Sequence, residues 1–196
     1  MRAFSSALVA CAWLACVTPS CAATDVTLAT LPVGDDAGST PVRCGTISDC
    51  PAGSYCEKPS CDAPSGTCTF FPSVCVTEER PECGCDGITY FDDCLRRQSG
   101  IASFTAGPCW QGNASTCGGP ASTSCPEGAV CALLLGRAPG PCQPDAEGSC
   151  WVVPLQCPAS MPGDDRWDSC QPGLRCADTC TALQAGGPFL RSMTCH

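Results

Sequence analysis

The chain is poor in the residues that most enzymes and metal sites are built on. A single histidine occurs among its 196 residues, at the terminal position His196, and aromatic side chains make up only 6%. Without a second histidine, a Cys–His nucleophile or a zinc centre lacks its usual partner, and the C-x2-C knuckles that structural zinc sites favour do not occur. Also missing are a serine-centred G-x-S-x-G, a glycine loop to cradle phosphate and the ligand spacing of an EF-hand. The acidic residues of "DGITYFDD" read as solvated turn carboxylates. The chain is therefore expected to be no enzyme and to hold no cofactor or metal. Charge is sparse too. Lys, Arg, Asp and Glu account for 15% of residues, and the ten basic ones are scattered in a chain of net charge −9. That excludes the clustered basic face a nucleic acid needs.

Long apolar runs are absent after the first twenty residues. The one run, "AFSSALVACAWLACV" after Arg2, is too short to cross a bilayer and suits the hydrophobic part of a secretory signal over 1–21. Small residues precede Cys11, Cys16 and Cys21, as in bacterial lipoprotein signals. Cys11 would leave too short a signal, so Cys16 is the better lipid acceptor and Cys21 the weaker one. The other outcome is ordinary cleavage near "SCAAT", giving a soluble secreted protein, and the two stand side by side. Either places the chain on the outer side of a membrane, periplasmic or extracellular, with a lipid as its only route to a membrane. Residues 22–43, between Cys21 and Cys44, hold no cysteine, are rich in Thr, Ala, Gly, Asp and Pro, and read as a flexible tether.

What the chain has in abundance is cysteine: 23 residues, about 12%, above the level that marks a disulfide scaffold. Such a content implies an oxidising compartment. Glycine (20) and proline (19) supply another fifth, which argues against long packed helices. Setting the three signal-region cysteines aside leaves ten between Cys44 and Cys109 and ten between Cys117 and Cys195. The two sets share local patterns: "CPAGSYC" with "CPEGAVC", "GTCTFFPSVC" with "GSCWVVPLQC", and "CLRRQSGIASFTAGPC" with "CTALQAGGPFLRSMTC". In the last pair Gln stands at the fourth position after the cysteine and Gly at the sixth. The expected fold is small and disulfide-rich, a tandem of cysteine-rich modules with short strands and one short helix each. The modules span 44–109 and 117–195 and are joined by a linker over 110–116. "TFFPSV" and "WVVPLQ" read as short strands broken by proline, "DGITY" as a hairpin start, and the segment after Cys94 as two helical turns capped by Gly100 before a return strand. "NAS" at Asn113 is a glycosylation acceptor if the chain passes through a eukaryotic secretory pathway.

Within the first module, Cys75, Cys83, Tyr90, Cys94 and Cys109 stand at a spacing that, with "CGCDGITYFDDC", resembles a Kazal domain over about 68–109. The resemblance implies bridges Cys75–Cys94 and Cys83–Cys109. It departs from the family where "LRR" replaces a further cysteine and Cys85 is added. Cys85 is accordingly expected to reach back to one of Cys44, Cys50, Cys56, Cys61 or Cys68, the nearer end being favoured. Kazal domains typically inhibit serine proteases through an exposed loop, which here aligns with Val76, Thr77, Glu78, Glu79 and Arg80. Thr77 takes the primary specificity position and Tyr90 packs beneath. Asp92 replaces the family's usual Asn, and an ionised carboxylate cannot donate hydrogen bonds to loop carbonyls. The short branched Thr77 implies an elastase- or subtilisin-like partner rather than a trypsin-like one. The second module lacks the "DGxTY" segment and resembles a diverged copy, so inhibition is expected in the first. The alternative is a non-inhibitory disulfide-rich module that serves structure or interaction, because a fold by itself does not fix a function.

Overall fold

Short strands and tight crosslinks follow from a chain in which cysteine, proline or glycine interrupts every apolar run. The computed structural model describes residues 41–110, 112–135, 142, 145–161, 163–164 and 166–195. The signal, Cys16, Cys21 and all but the end of the tether lie outside the described residues. The first layer is a three-stranded antiparallel sheet of β1 (Arg43–Cys44), β2 (Ser54–Glu57) and β3 (Gly66–Phe70), in the order β1-β3-β2. The expected tether thus ends earlier than residue 43, since Arg43 already pairs with Thr67. Next come β4 (Glu82–Gly84), β5 (Thr89–Tyr90), helix α1 (Asp93–Gln98) and β6 (Ser103–Ala106). The remainder contributes β7 (Thr116–Gly118), β8 (Val130–Leu135), β9 (Glu147–Val152), β10 (Trp167–Ser169), α2 (Thr179–Ala185) and β11 (Pro188–Arg191).

The strands from β4 onward form one eight-stranded sheet, ordered β10-β11-β8-β9-β5-β4-β6, with β7 also on β9. β5 runs parallel to β9, pairing Thr89 with Trp151 and Tyr90 with Val152. The last residues of the expected linker 110–116 join this sheet. Thr116 lies in β7, and Ser115 donates its N–H to the Gly87 carbonyl at 2.8 Å. Tyr90 and Ile88 pack with Cys117 and Cys150 in one buried cluster that crosses from one cysteine set to the other.

All twenty cysteines from Cys44 onward are bridged, ten bonds in all. None joins 44–109 to 117–195. Ranked along each set, three bonds coincide: Cys44–Cys56 with Cys117–Cys131, Cys50–Cys68 with Cys125–Cys150, and Cys75–Cys94 with Cys157–Cys180. The remaining two bonds exchange their inner partners, Cys61–Cys85 and Cys83–Cys109 against Cys142–Cys170 and Cys176–Cys195. Loops of this size are worth roughly 3 kcal/mol each in the chain-entropy account. The side chains could not supply such stability, because the buried clusters are small.

The shared sequence patterns meet the same local demands in both places. A Cβ on Gly66 would come within 2.2 Å of the Glu57 carbonyl oxygen, and one on Gly148 within 2.3 Å of that of Ala132, so each "GxC" glycine lets two strands close together. Gln98 donates to the Pro72 carbonyl at 3.3 Å and Gln184 to that of Pro154 at 2.6 Å. Asp92 and Asp178 each stand two residues before a helix cysteine and cap the helix, accepting from Leu95 N and Thr181 N at 2.8 Å. Gly100 and Gly186, at φ +71° and +68°, turn the chain out of the two helices where a side chain would be strained.

Candidate functional site

The loop Val76–Arg80 leaves the Cys75–Cys94 bridge and runs without regular structure to β4. Helix α1 holds its near end through that bridge and through Gln98 on Pro72. The far end is fixed by the Arg80 N–H, which donates to the carbonyl of Phe91 at 3.1 Å. Val76 is 83% exposed. Glu78 and Arg80 are also exposed and form a 3.0 Å surface ion pair, of the kind that contributes little to stability. Cys83–Cys109 anchors β4 to the segment after β6, and Cys85 is bridged to Cys61. These are the two pairs that the Kazal resemblance implies and one of the five partners open to Cys85.

The two residues expected to support the loop, Tyr90 and Asp92, make the following contacts. Tyr90 does not lie beneath the loop. It is turned into the core, 2% exposed, and donates its hydroxyl to Asp86 Oδ2 at 2.8 Å, and burial together with that carboxylate pushes its pKa well up. Phe91 takes the place beneath the loop, fully buried and lining a hollow of about 370 Å3 with Thr77 and Glu78. Asp92 caps α1 through Oδ1, which accepts from Leu95 N at 2.8 Å, and its carboxylate also faces the Glu78 N–H of the loop, although its buried Oδ2 makes no hydrogen bond. Thr77 and Glu79 are half-buried. The far wall of the hollow is the segment Pro158–Met161. Glu79 Oε1 accepts from Thr179 Oγ1 at 2.9 Å and lies 3.7 Å from the Arg166 guanidinium. Sequence patterns pointed to neither of these partners, which lie some ninety to a hundred residues further along the chain.

Burial pushes the Asp92 carboxyl above its ordinary value of 3.8, partly drawn back by the N–H groups of Leu95, Cys94 and Glu78. The folded carboxyl thus keeps its proton to higher pH than the unfolded one. Its contribution to stability is then largest below 3.8 and is lost as pH rises through the folded value. Asp92→Asn keeps the capping oxygen and removes the buried charge. In urea titrations of the oxidised chain it is expected to raise stability by about 1 kcal/mol at neutral pH and to flatten that decline. An unchanged pH profile would show that Asp92 carries no such penalty.

A second buried charge sits on helix α1. Arg96, 4% exposed, reaches Glu57 of β2 at 3.1 Å and Asp93 at 2.6 Å, and also donates to the Ile101 carbonyl. Tyr55 donates to the same Glu57, and burial with that contact pushes its pKa up to about 12. The arrangement joins the three-stranded sheet to the helix that carries Cys94. Among the described residues, the acid and cysteine groups close enough to hold an ion all include bridged cysteines, whose sulfurs are not available as thiolates. No helix of the described residues is long and apolar enough to cross a membrane. The disulfide content suits an extracellular or otherwise oxidising compartment. No protein-family model matches the sequence.

Proposed function

We propose that the chain is an exported Kazal-like protein that inhibits an extracellular serine protease by presenting Val76–Arg80 as a substrate. The carrying observation is the loop itself, exposed at Val76 and Glu78 and tied at its start to Cys94 and at its end to Phe91. A segment fixed in advance loses little freedom on docking, and crosslinks hold its pieces together if it is cut. The equivalent bridges, glycines, caps and Gln-to-Pro bonds support a tandem of two related modules, the second diverged. Export through residues 1–21, with a lipid on Cys16 or Cys21 or by simple cleavage, belongs to the same proposal.

Thr77 suits small apolar specificity pockets. The oxidised full chain is expected to slow an elastase- or subtilisin-like enzyme saturably and to leave trypsin untouched, measured as steady-state rates on a chromogenic peptide. Turnover of the chain by every enzyme in such a panel, without inhibition, would remove the proposal. A non-inhibitory interaction module is the second reading. The hold of Thr179 and Arg166 on Glu79, which ties down one side of the loop, favours it.

A further inference from the structure

The wall facing the loop across the hollow is itself the counterpart of the loop. Cys157 matches Cys75 through its bond to the helix cysteine, Pro154 matches Pro72 through its glutamine, and Asp178 matches Asp92 as the cap two residues ahead of that cysteine. Counting on from Cys157 puts Pro158 opposite Val76 in the pattern, Ala159 opposite Thr77 and Ser160 opposite Glu78.

The two loops differ in how their acids are used. Asp92 makes no hydrogen bond through its buried Oδ2 and meets the loop only through the weaker approach of the Glu78 N–H. Asp178 uses both oxygens: Oδ1 accepts from Thr181 N at 2.8 Å, and Oδ2 accepts from Ser160 Oγ at 3.0 Å and from Thr181 Oγ1. The helix cap is thereby tied directly to the segment that follows Ala159. Beyond it, the Met161 N–H donates to Asp164 Oδ2 at 2.8 Å, so the segment is held on both sides. Pro158 stiffens the approach by fixing its own φ. Ala159 and Ser160 are exposed, and Ser160 is held by Asp178 of its own half, whereas Glu79 is held from the other half by Thr179 and Arg166.

We propose that Pro158–Met161 is a second protease-contact loop, with Ala159 in the primary position, and that it is the better braced of the two. This rests on the inhibitory function proposed above, and reverses the expectation that the diverged half is inert. The Ala159 methyl suits a serine protease whose specificity pocket is small and apolar. A long cation at that position suits a pocket with a buried acid. Because the two loops line one hollow, a protease seated on either would cover the other, and each chain should engage one enzyme molecule at a time.

The test uses the oxidised full chain carrying Ala159→Arg or Thr77→Arg, each assayed against trypsin. Ala159→Arg is expected to inhibit, about tenfold more tightly than Thr77→Arg. Adding Ser160→Ala, an exposed change that removes only the bond to Asp178, is expected to weaken it about tenfold, or 1.4 kcal/mol. If Thr77→Arg inhibits while Ala159→Arg is cleaved and released or ignored, the second loop is overturned and the first stands. If neither inhibits, both fall. Inhibition by Ala159→Arg that Ser160→Ala leaves unchanged would overturn the bracing role of Asp178.

Discussion

Trypsin affinity is expected to rise by about 10,000-fold when Thr77→Arg is introduced into the oxidised chain, because the enzyme's buried acid then gains the partner that threonine denies it. The gain depends on the loop entering the enzyme in the shape it already has. Val76 is free to do so, whereas Glu79 must keep or release Thr179 and Arg166 as the complex forms. Asp92→Asn in the same chain should strengthen inhibition further, since the amide can donate where the carboxylate only accepts. The measurement is a tight-binding titration with mass analysis of the recovered chain. Rapid cleavage after residue 77 and release would mean that the loop is not held in a binding shape. Neither cleavage nor inhibition would mean that the second half covers it, which favours the structural module.

Arg96→Ala is expected to be the most damaging single change outside the cysteines, at about 3 kcal/mol. Removal of the guanidinium leaves the partly buried Glu57 with only its Tyr55 and Ser103 donors and takes the side-chain donor from the Ile101 carbonyl, so part of the desolvation cost of those groups is no longer offset. Arg96→Lys should recover only part of the loss, because one ammonium cannot serve Asp93, Glu57 and a carbonyl with the geometry of a planar fork. Guanidinium unfolding of the oxidised protein measures both. A loss below about 1 kcal/mol for Arg96→Ala would show that the pair is no stronger than a surface ion pair.

What could be read from the residues was what they determine over short distances. The helical turns read after Cys94, their end at Gly100 and the return strand β6 depend on a positive φ and a few neighbouring side chains within one stretch of sequence, whereas the Asp92 cap that starts the helix at Asp93 was not read. The mostly stranded, disulfide-rich character was likewise visible in composition. The partnership of β5 with β9 was not, since two strand residues bear no periodic pattern and their partners lie about sixty positions away. Asp92 illustrates a different limit. The Kazal resemblance implied a loop-supporting role, while the helix that follows, which needs a cap, takes its Oδ1. Asp178 shows that the two duties are compatible, provided a hydroxyl such as that of Ser160 stands in the loop to meet the second oxygen.

Covalently, the bonds of 44–109 and 117–195 close two separate knots, while hydrogen bonding makes a single sheet of them. One backbone cut within 110–116 would turn the molecule into a two-chain complex with no bond between its members. Electrophoresis without reductant should then resolve two fragments that still elute together under native conditions. Their cohesion would rest on the parallel pair β5 and β9, the Phe91 N–H on the Val152 carbonyl, and Glu79 on Thr179. Either fragment alone would present an open strand edge to solution, a surface that recruits further strands. The second half would thus serve the first as an intramolecular chaperone for that edge, and a first half made without it would be prone to self-association however complete its own five bridges.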